Sequence, residues 1–248
     1  MPTAILIDGA FLIKRSRFLS NKYPKGLSPS EVDAICYDAK KVATYIFEYA
    51  LSHLSSKGDN EERRLYRIFF YDCPPAQFKG HNPISKVAYD STKTDEYKFR
   101  TELHAELKKL RKFALRFGQV THTNWTYKSR VIQDLLKGKK TLEEITENDV
   151  ELSFRQKGVD MKIGIDISSL TLKKQVKQII LIAGDADFVP AAKLARREGI
   201  DFILDPMGLD INDDLFEHID GLKSPKKDLV WPLKKNGHKR QRKSSRKV

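Results

Sequence analysis

The sequence predicts an α/β domain whose mostly parallel sheet is flanked by helices. Two observations predict it. Four short apolar runs, Thr3–Asp8, Arg64–Asp72, Gln178–Asp185 and Ile200–Asp205, each close on an acid. Between them lie segments with the apolar period of a helix, and strands alternating with helices favour parallel pairing.

"TAILID" is short and apolar and reads as a buried strand ending at Asp8. Residues 30–55 carry a helical stripe from Val32 through Val42 and Ile46 to Leu54, with Ser30 placed to cap it. "RLYRIFFYD" is a second strand, and the prolines that follow Cys73 stop it. Residues 74–95 are polar and irregular, a long loop, and 95–113 return to a helical period. "RFGQVTHTNWTYKS" (Arg116–Ser129) alternates around Val120 and Trp125 as a strand or hairpin, and 130–150 hold a short helix and an acidic stretch. A helix starts near Val159 and runs towards Lys174. "QIILIAGD" is a third strand, and "DFVPAAKLARREG" a helix that Gly199 ends, with Pro190 tolerated in its first turn. "IDFILD" is a fourth strand, and "DDLFEHID" a last short helix.

The 248 residues are 40% hydrophobic, enough for a core, and contain no run of eighteen apolar residues that would span a membrane. The opening "MPTAILIDGAF" lacks the basic region and cleavage site of a signal peptide. Cys36 and Cys73 have no metal-ligand spacing, and Cys36 reads as a buried thiol, a usage that suits a reducing cytoplasm. The net charge of +13 is concentrated at one end: residues 223–248 hold eleven Lys and Arg against Asp228 alone. That stretch reads as a disordered basic tail. Its Lys239, Arg240, Arg242 and Lys243 are suited to phosphate contacts that release counterions from nucleic acid; the plain alternative is a solubilising tail.

Ligands of open parallel sheets bind outside the carboxyl ends of the strands. Asp8, Asp72, Asp185 and Asp205 would all reach that edge, and Asp187 and Asp160, at helix starts, are placed to join them. Crowded carboxylates resist joint ionisation, and a hard cation such as Mg²⁺ or Mn²⁺ relieves them. Such an ion positions a water and neutralises charge building on a phosphate. Each acid also has an ordinary reading. Asp187 fits an N-cap, Gly184-Asp185 and Asp8-Gly9 fit turns, and Asp205-Pro206 is better read as a structural turn than as a ligand.

"ILIDGAFL", "FFYDCPP", "QKGVDMKIGIDISSL" and "LIAGDADFVPAAKLARREGIDFILDPMG" together resemble the NYN domain family, the LabA-like or DUF88 proteins of the PIN-like nuclease superfamily. The likeness touches the chain from Ala4 to about Gly221. It implies one NYN/PIN-like domain over 1–222, with 75–150 a less certain insert-like region and 223–248 outside it. It also implies a Rossmann-like sheet and an acidic pocket that binds Mg²⁺ or Mn²⁺ and cuts RNA. Carried over by motif, the catalytic and metal-binding acids are Asp8, Asp160, Asp185 and Asp187. Asp72 and Asp166 stand second, and Lys157 is a phosphate contact. Asp166 lies six residues beyond Asp160, roughly 600° of helical rotation, so it faces about 120° away. One departure is plain: where the family shows "IDGxN", the Asn position here is Phe11.

The function this implies is metal-dependent hydrolysis of RNA phosphodiester bonds, by an endoribonuclease in the cytoplasm, with RNA as partner, no membrane, and room for a homo-oligomer. Trp125 and Tyr127 alternate beside Lys128 and Arg130, which would suit single-stranded RNA, although Trp125 reads better as a core residue. The six histidines are scattered, with no HxH or HExxH pattern. A haloacid-dehalogenase-type phosphatase would need a second acid two residues after Asp8, where Ala10 stands. Phosphate-binding glycine loops of nucleotide enzymes are missing. The alternative is a catalytically inactive PIN-like module that binds RNA or protein.

Overall fold

A computed structural model describes residues 1–21, 38–55, 62–211 and 213–225. Its centre is a six-stranded sheet. The strands are β1 (Pro2–Asp8), β2 (Arg64–Asp72), β5 (Phe113–Phe117), β8 (Gln178–Ile182), β9 (Asp201–Asp205) and β10 (Gly221–Leu222). Their spatial order is β5-β2-β1-β8-β9-β10, and all five pairings are parallel.

The strands are apolar on both faces because both faces are covered. Ala4, Leu6, Phe69, Tyr71, Ile179 and Leu181 point to one side. There they meet α5 (Val159–Leu172), through Ile163 and Ile167, and α6 (Val189–Arg197), through Ala192 and Ala195. The alternate residues Ile5, Ile7, Ile68, Phe70, Ile180 and Ile182 point to the other. There α1 (Gly9–Asn21), α2 (Ala39–Ser52) and α3 (Asp95–Lys108) cover them with Leu12, Val42, Ile46 and Leu103. Each such side chain, taken out of water, contributes about 1.5–3 kcal/mol.

Counting only the strands of this sheet in chain order, the arrangement is 3-2-1-4-5-6. The direction of winding reverses between β1 and β8. Connections leave that point to opposite faces, and a crevice opens between them at the carboxyl ends. The order is Rossmann-like and consistent with a PIN-like fold.

Two small ribbons stand apart from the sheet: β3 (Lys79–His81) with β4 (Ala88–Asp90), and β6 (Gln119–Tyr127) with β7 (Val150–Lys157), both antiparallel. A short helix α4 (Ser129–Leu136) lies between β6 and β7, and α7 (Asp213–Phe216) between β9 and β10. Among the described residues no helix is long and apolar enough to cross a membrane.

Several expectations are corrected here. Residues 74–95 contain the β3–β4 hairpin instead of an unbroken loop. The helix expected over 95–113 ends at Lys108; Lys112 takes a φ of 59°, and Phe113 opens the edge strand β5. The strand expected to reach Asp185 stops at Ile182, so Asp185 sits in the loop beyond it. Helix α2 begins at Ala39, capped by Asp38, whose Oδ1 accepts from the Lys41 amide at 3.1 Å; Ser30 and Cys36 lie outside the described residues. Helix α3 and strand β5, from within the stretch 75–150, are part of the main layers, while the two ribbons are additions to them. The tail beyond Pro225 lies outside the described residues.

Candidate functional site

The crevice between β1 and β8 is where the sequence acids meet. Asp8 is the last residue of β1. Its Oδ1 accepts from the Phe11 amide at 3.1 Å, the first turn of α1 wrapping onto it. Burial, opposed by the Phe11 and Ala10 amides and reinforced by the facing carboxylates of Asp160 and Asp72, pushes the Asp8 carboxyl up to about 6.

Asp160 enters from the other side of the crevice. Strand β7 ends at Lys157, and Gly158, at φ +80°, turns the chain into α5. A side chain there would be strained, so glycine fits the corner. Asp160 then sits in the first turn of α5, exposed. Partial burial, then Asp185 and then Asp187 raise its carboxyl above the ordinary range. Beyond β8, Asp185 Oδ1 accepts from the Asp187 amide at 3.2 Å, a tight turn leading through Phe188 into α6. Asp187 is not the N-cap; Phe188 occupies that position without a side-chain cap bond. Among the described residues no hydrogen bond or ion pair holds the carboxylates of Asp160 and Asp187.

The loop of Asp185 depends on Gly184. A Cβ at that position would stand 2.5 Å from Cε2 of Phe11. The Phe11 ring, in the family's Asn position, therefore lies against the backbone just before Asp185.

Asp160 is thus close enough to Asp8 on one side, and to Asp185 and Asp187 on the other, for their charges to be felt; Asp8 is half-buried and the other three are exposed. Among the described residues no three His, Cys, Asp or Glu side chains are close enough, as placed, to hold a metal ion. The donor chemistry still fits a hard cation. Oxygen ligands that raise one another's pKa are those a divalent ion would stabilise, and Mg²⁺ uses few protein carboxylates and keeps several waters.

The remaining sequence candidates are placed otherwise. Asp72 is fully buried and its oxygens are taken. Oδ1 accepts from Arg100 at 2.6 Å and from the Cys73 amide at 2.8 Å, and Oδ2 lies 2.7 Å from His104 Nε2. Sequence reasoning missed Arg100 and His104, although their spacing of four along α3 puts both on one helical face. Asp205 is likewise buried. Its Oδ1 accepts from the Met207 amide at 2.8 Å, the structural turn expected, and its Oδ2 accepts from Tyr49 and lies 3.0 Å from His53 Nε2. Asp166 faces away from Asp160, accepting from Tyr71 Oη at 2.8 Å and pairing with Arg116 at 3.1 Å. Lys157 is exposed at the end of β7. Lys128 is exposed, and Arg130, also exposed, reaches Asp134 at 3.7 Å. Trp125 is not in the main core: it packs edge-on against Tyr89 and Phe78, with ring centroids 5.3 and 6.3 Å away. Lys239, Arg240, Arg242 and Lys243 lie outside the described residues.

Comparison with known proteins adds a family to this geometry. Residues 92–207 match the NYN domain family. NYN domains belong to the PIN-like nuclease superfamily. The NYN match takes in Asp160, Asp185 and Asp187 and begins well after β1, so Asp8 joins it through the sheet. No curated protein matches the chain. Among solved structures, a protein of unknown function from Vibrio parahaemolyticus is 12% identical over 94% of this chain and 96% of its own, with a TM-score of 0.39. A superposition that loose adds nothing to the NYN match.

Proposed function

We propose that this protein is a metal-dependent ribonuclease of the cytoplasm, hydrolysing RNA phosphodiester bonds at the crevice between β1 and β8. The observation that supports the reading is that burial raises both the Asp8 and the Asp160 carboxyls, Asp160 adding to the first and Asp185 and Asp187 to the second. Acids left to repel one another without cationic partners cluster at functional sites more than in structural networks. Asp72 and Asp205, with their buried partners, illustrate the structural kind.

In this reading Asp8, Asp185 and Asp187 hold Mg²⁺ or Mn²⁺, and Asp160 either joins them or orients the attacking water. The ion, when bound, supplies positive charge against the phosphate and a low-pKa water. Asp8 must give up its proton for the site to load, so loading strengthens as pH rises through about 6. Lys157, at the mouth, contacts a non-bridging phosphate oxygen. Lys128, Arg130 and the basic stretch after residue 222 hold more distant backbone.

A second reading is an inactive PIN-like module that binds RNA or protein. Two observations favour it: the Asn position is filled by Phe11, and among the described residues no three acids are at chelating distance. The experiment that separates them is incubation of the purified protein with single- and double-stranded RNAs in Mn²⁺, Mg²⁺ or EDTA, beside Asp185→Asn. Metal-dependent cleavage missing from the variant is expected. RNA bound equally by both and cut by neither overturns the ribonuclease.

A further inference from the structure

Behind Asp72, on the side away from β8, lies a cavity of about 300 Å³. Its walls come from three separate elements. Tyr89 comes from β4, Tyr97 and Arg100 from α3, and Phe154 and Gln156 from β7, with Cys73 at the base. The volume is at the lower end of the range typical of small-molecule sites, about 300–1,000 Å³.

The cavity is joined to the acidic crevice by the chain itself. Cys73 follows Asp72 directly, and Arg100, which lines the cavity, is bonded to the Asp72 carboxylate at 2.6 Å. Gln156 lies four residues before Asp160 on the strand that delivers α5.

Its lining has a recognisable chemistry. Phe154, from β7, lines the cavity and is 47% exposed. Tyr97 is fixed, its hydroxyl accepting from Gln77 Nε2 at 2.9 Å. Tyr89 is fixed by the Trp125 ring. Rigid aromatic faces around a slot suit a flat heterocycle. The Gln156 amide is held by no hydrogen bond among the described residues, and it offers one donor group and one acceptor, as base edges require. A base seated here with its edge turned to Gln156 has no pairing partner at that edge.

We propose that this cavity receives an unpaired base of single-stranded RNA whose backbone runs into the acidic crevice. The inference rests on the ribonuclease reading for its ligand class and names the strandedness of the substrate. Phe154 stacks on the base, Tyr97 bounds it, and Gln156 pairs with its edge.

The test is a binding titration of the full chain in EDTA, where cleavage is off. The probe is a short mixed-sequence single-stranded RNA, together with versions carrying one abasic nucleotide at each position in turn. One position is expected at which loss of the base weakens binding about 10-fold. The double variant F154A/Q156A, changed at two exposed residues, is expected to bind intact RNA that much more weakly and to lose the positional effect. A flat abasic profile, a positional effect that persists in the double variant, or no RNA binding overturns the proposal. Cleavage in Mn²⁺ is scored separately: RNA cut with a flat profile sinks the cavity and leaves the nuclease. A sharp profile without cutting does the reverse.

Discussion

Phe11 and Gly184 fit each other as ring and gap: a methyl group on Gly184 would stand 2.5 Å from the ring's Cε2. The contact spans 173 positions of sequence and sets the start of the Asp185 loop against the start of α1. Gly184→Ala is therefore expected to cost about 1–3 kcal/mol by overpacking and to displace Asp185. Thermal unfolding and cleavage should both suffer. Adding Phe11→Asn should restore much of the stability by removing the ring. A double variant that melts no higher than Gly184→Ala alone would show that the ring is not the obstacle.

The Asp8 carboxyl makes a pH prediction whose sign is fixed. Its folded value, about 6, lies above the ordinary 3.8. Below pH 4 the group is protonated in both folded and unfolded chains, and it costs nothing. Between pH 4 and 6 the unfolded chain releases the proton first, so stability falls as pH rises and is lowest, for this group, above pH 6. The effect reaches about 3 kcal/mol at most. Asp8→Asn should flatten that limb of the stability profile in metal-free buffer and raise stability at pH 7. An unchanged profile in the variant would remove Asp8 as its source.

The acids at this edge of the sheet should separate into two kinds. Asp72→Asn disturbs a buried arrangement with Arg100 and His104. It should lower Tm by about 10 °C, whatever happens to activity. Asp160 is exposed, so Asp160→Asn should leave Tm within about 2 °C while abolishing cleavage. Calorimetry on the two variants decides it; equal losses of stability would erase the distinction.

Divalent cations supply another separation. If Asp8, Asp185 and Asp187 share an ion, millimolar Mn²⁺ should raise the Tm of the parent, and Asp187→Asn should cancel most of the shift. A shift that survives in the variant places the ion elsewhere.

Removing residues 226–248 takes away ten of the chain's 46 Lys and Arg. RNA affinity should fall and lose much of its salt dependence, while cleavage at saturating RNA persists. Filter binding across a salt series reads this; an unchanged slope would make the segment a bystander.

The apolar runs made the central sheet legible, because parallel strands covered on both faces need unbroken Ile, Leu and Phe. Asp8 and Asp185 were marked by the same runs, while Asp160 was singled out from Asp166 only by the resemblance of its motif. What hid was the distinction among acids. Asp72 and Asp205 carry the same local signature as Asp8, and only Arg100, His104, Tyr49 and His53, distant in sequence, turn them into structural groups. Strand β5 hid because "FALRF" continues the apolar spacing of the helix before it. The β3–β4 hairpin hid because its strands are three residues each and lie mostly in solvent.

Strand β1 precedes the other five strands of the sheet in the chain, yet it lies between β2 and β8. A ribosome delivering this chain releases Asp8 early, but the crevice has no second wall until β8 emerges some 170 residues later. Asp8 must wait for all of that intervening chain. The acidic edge is thus withheld during translation by topology alone, while the nascent protein is still tethered beside its own messenger RNA.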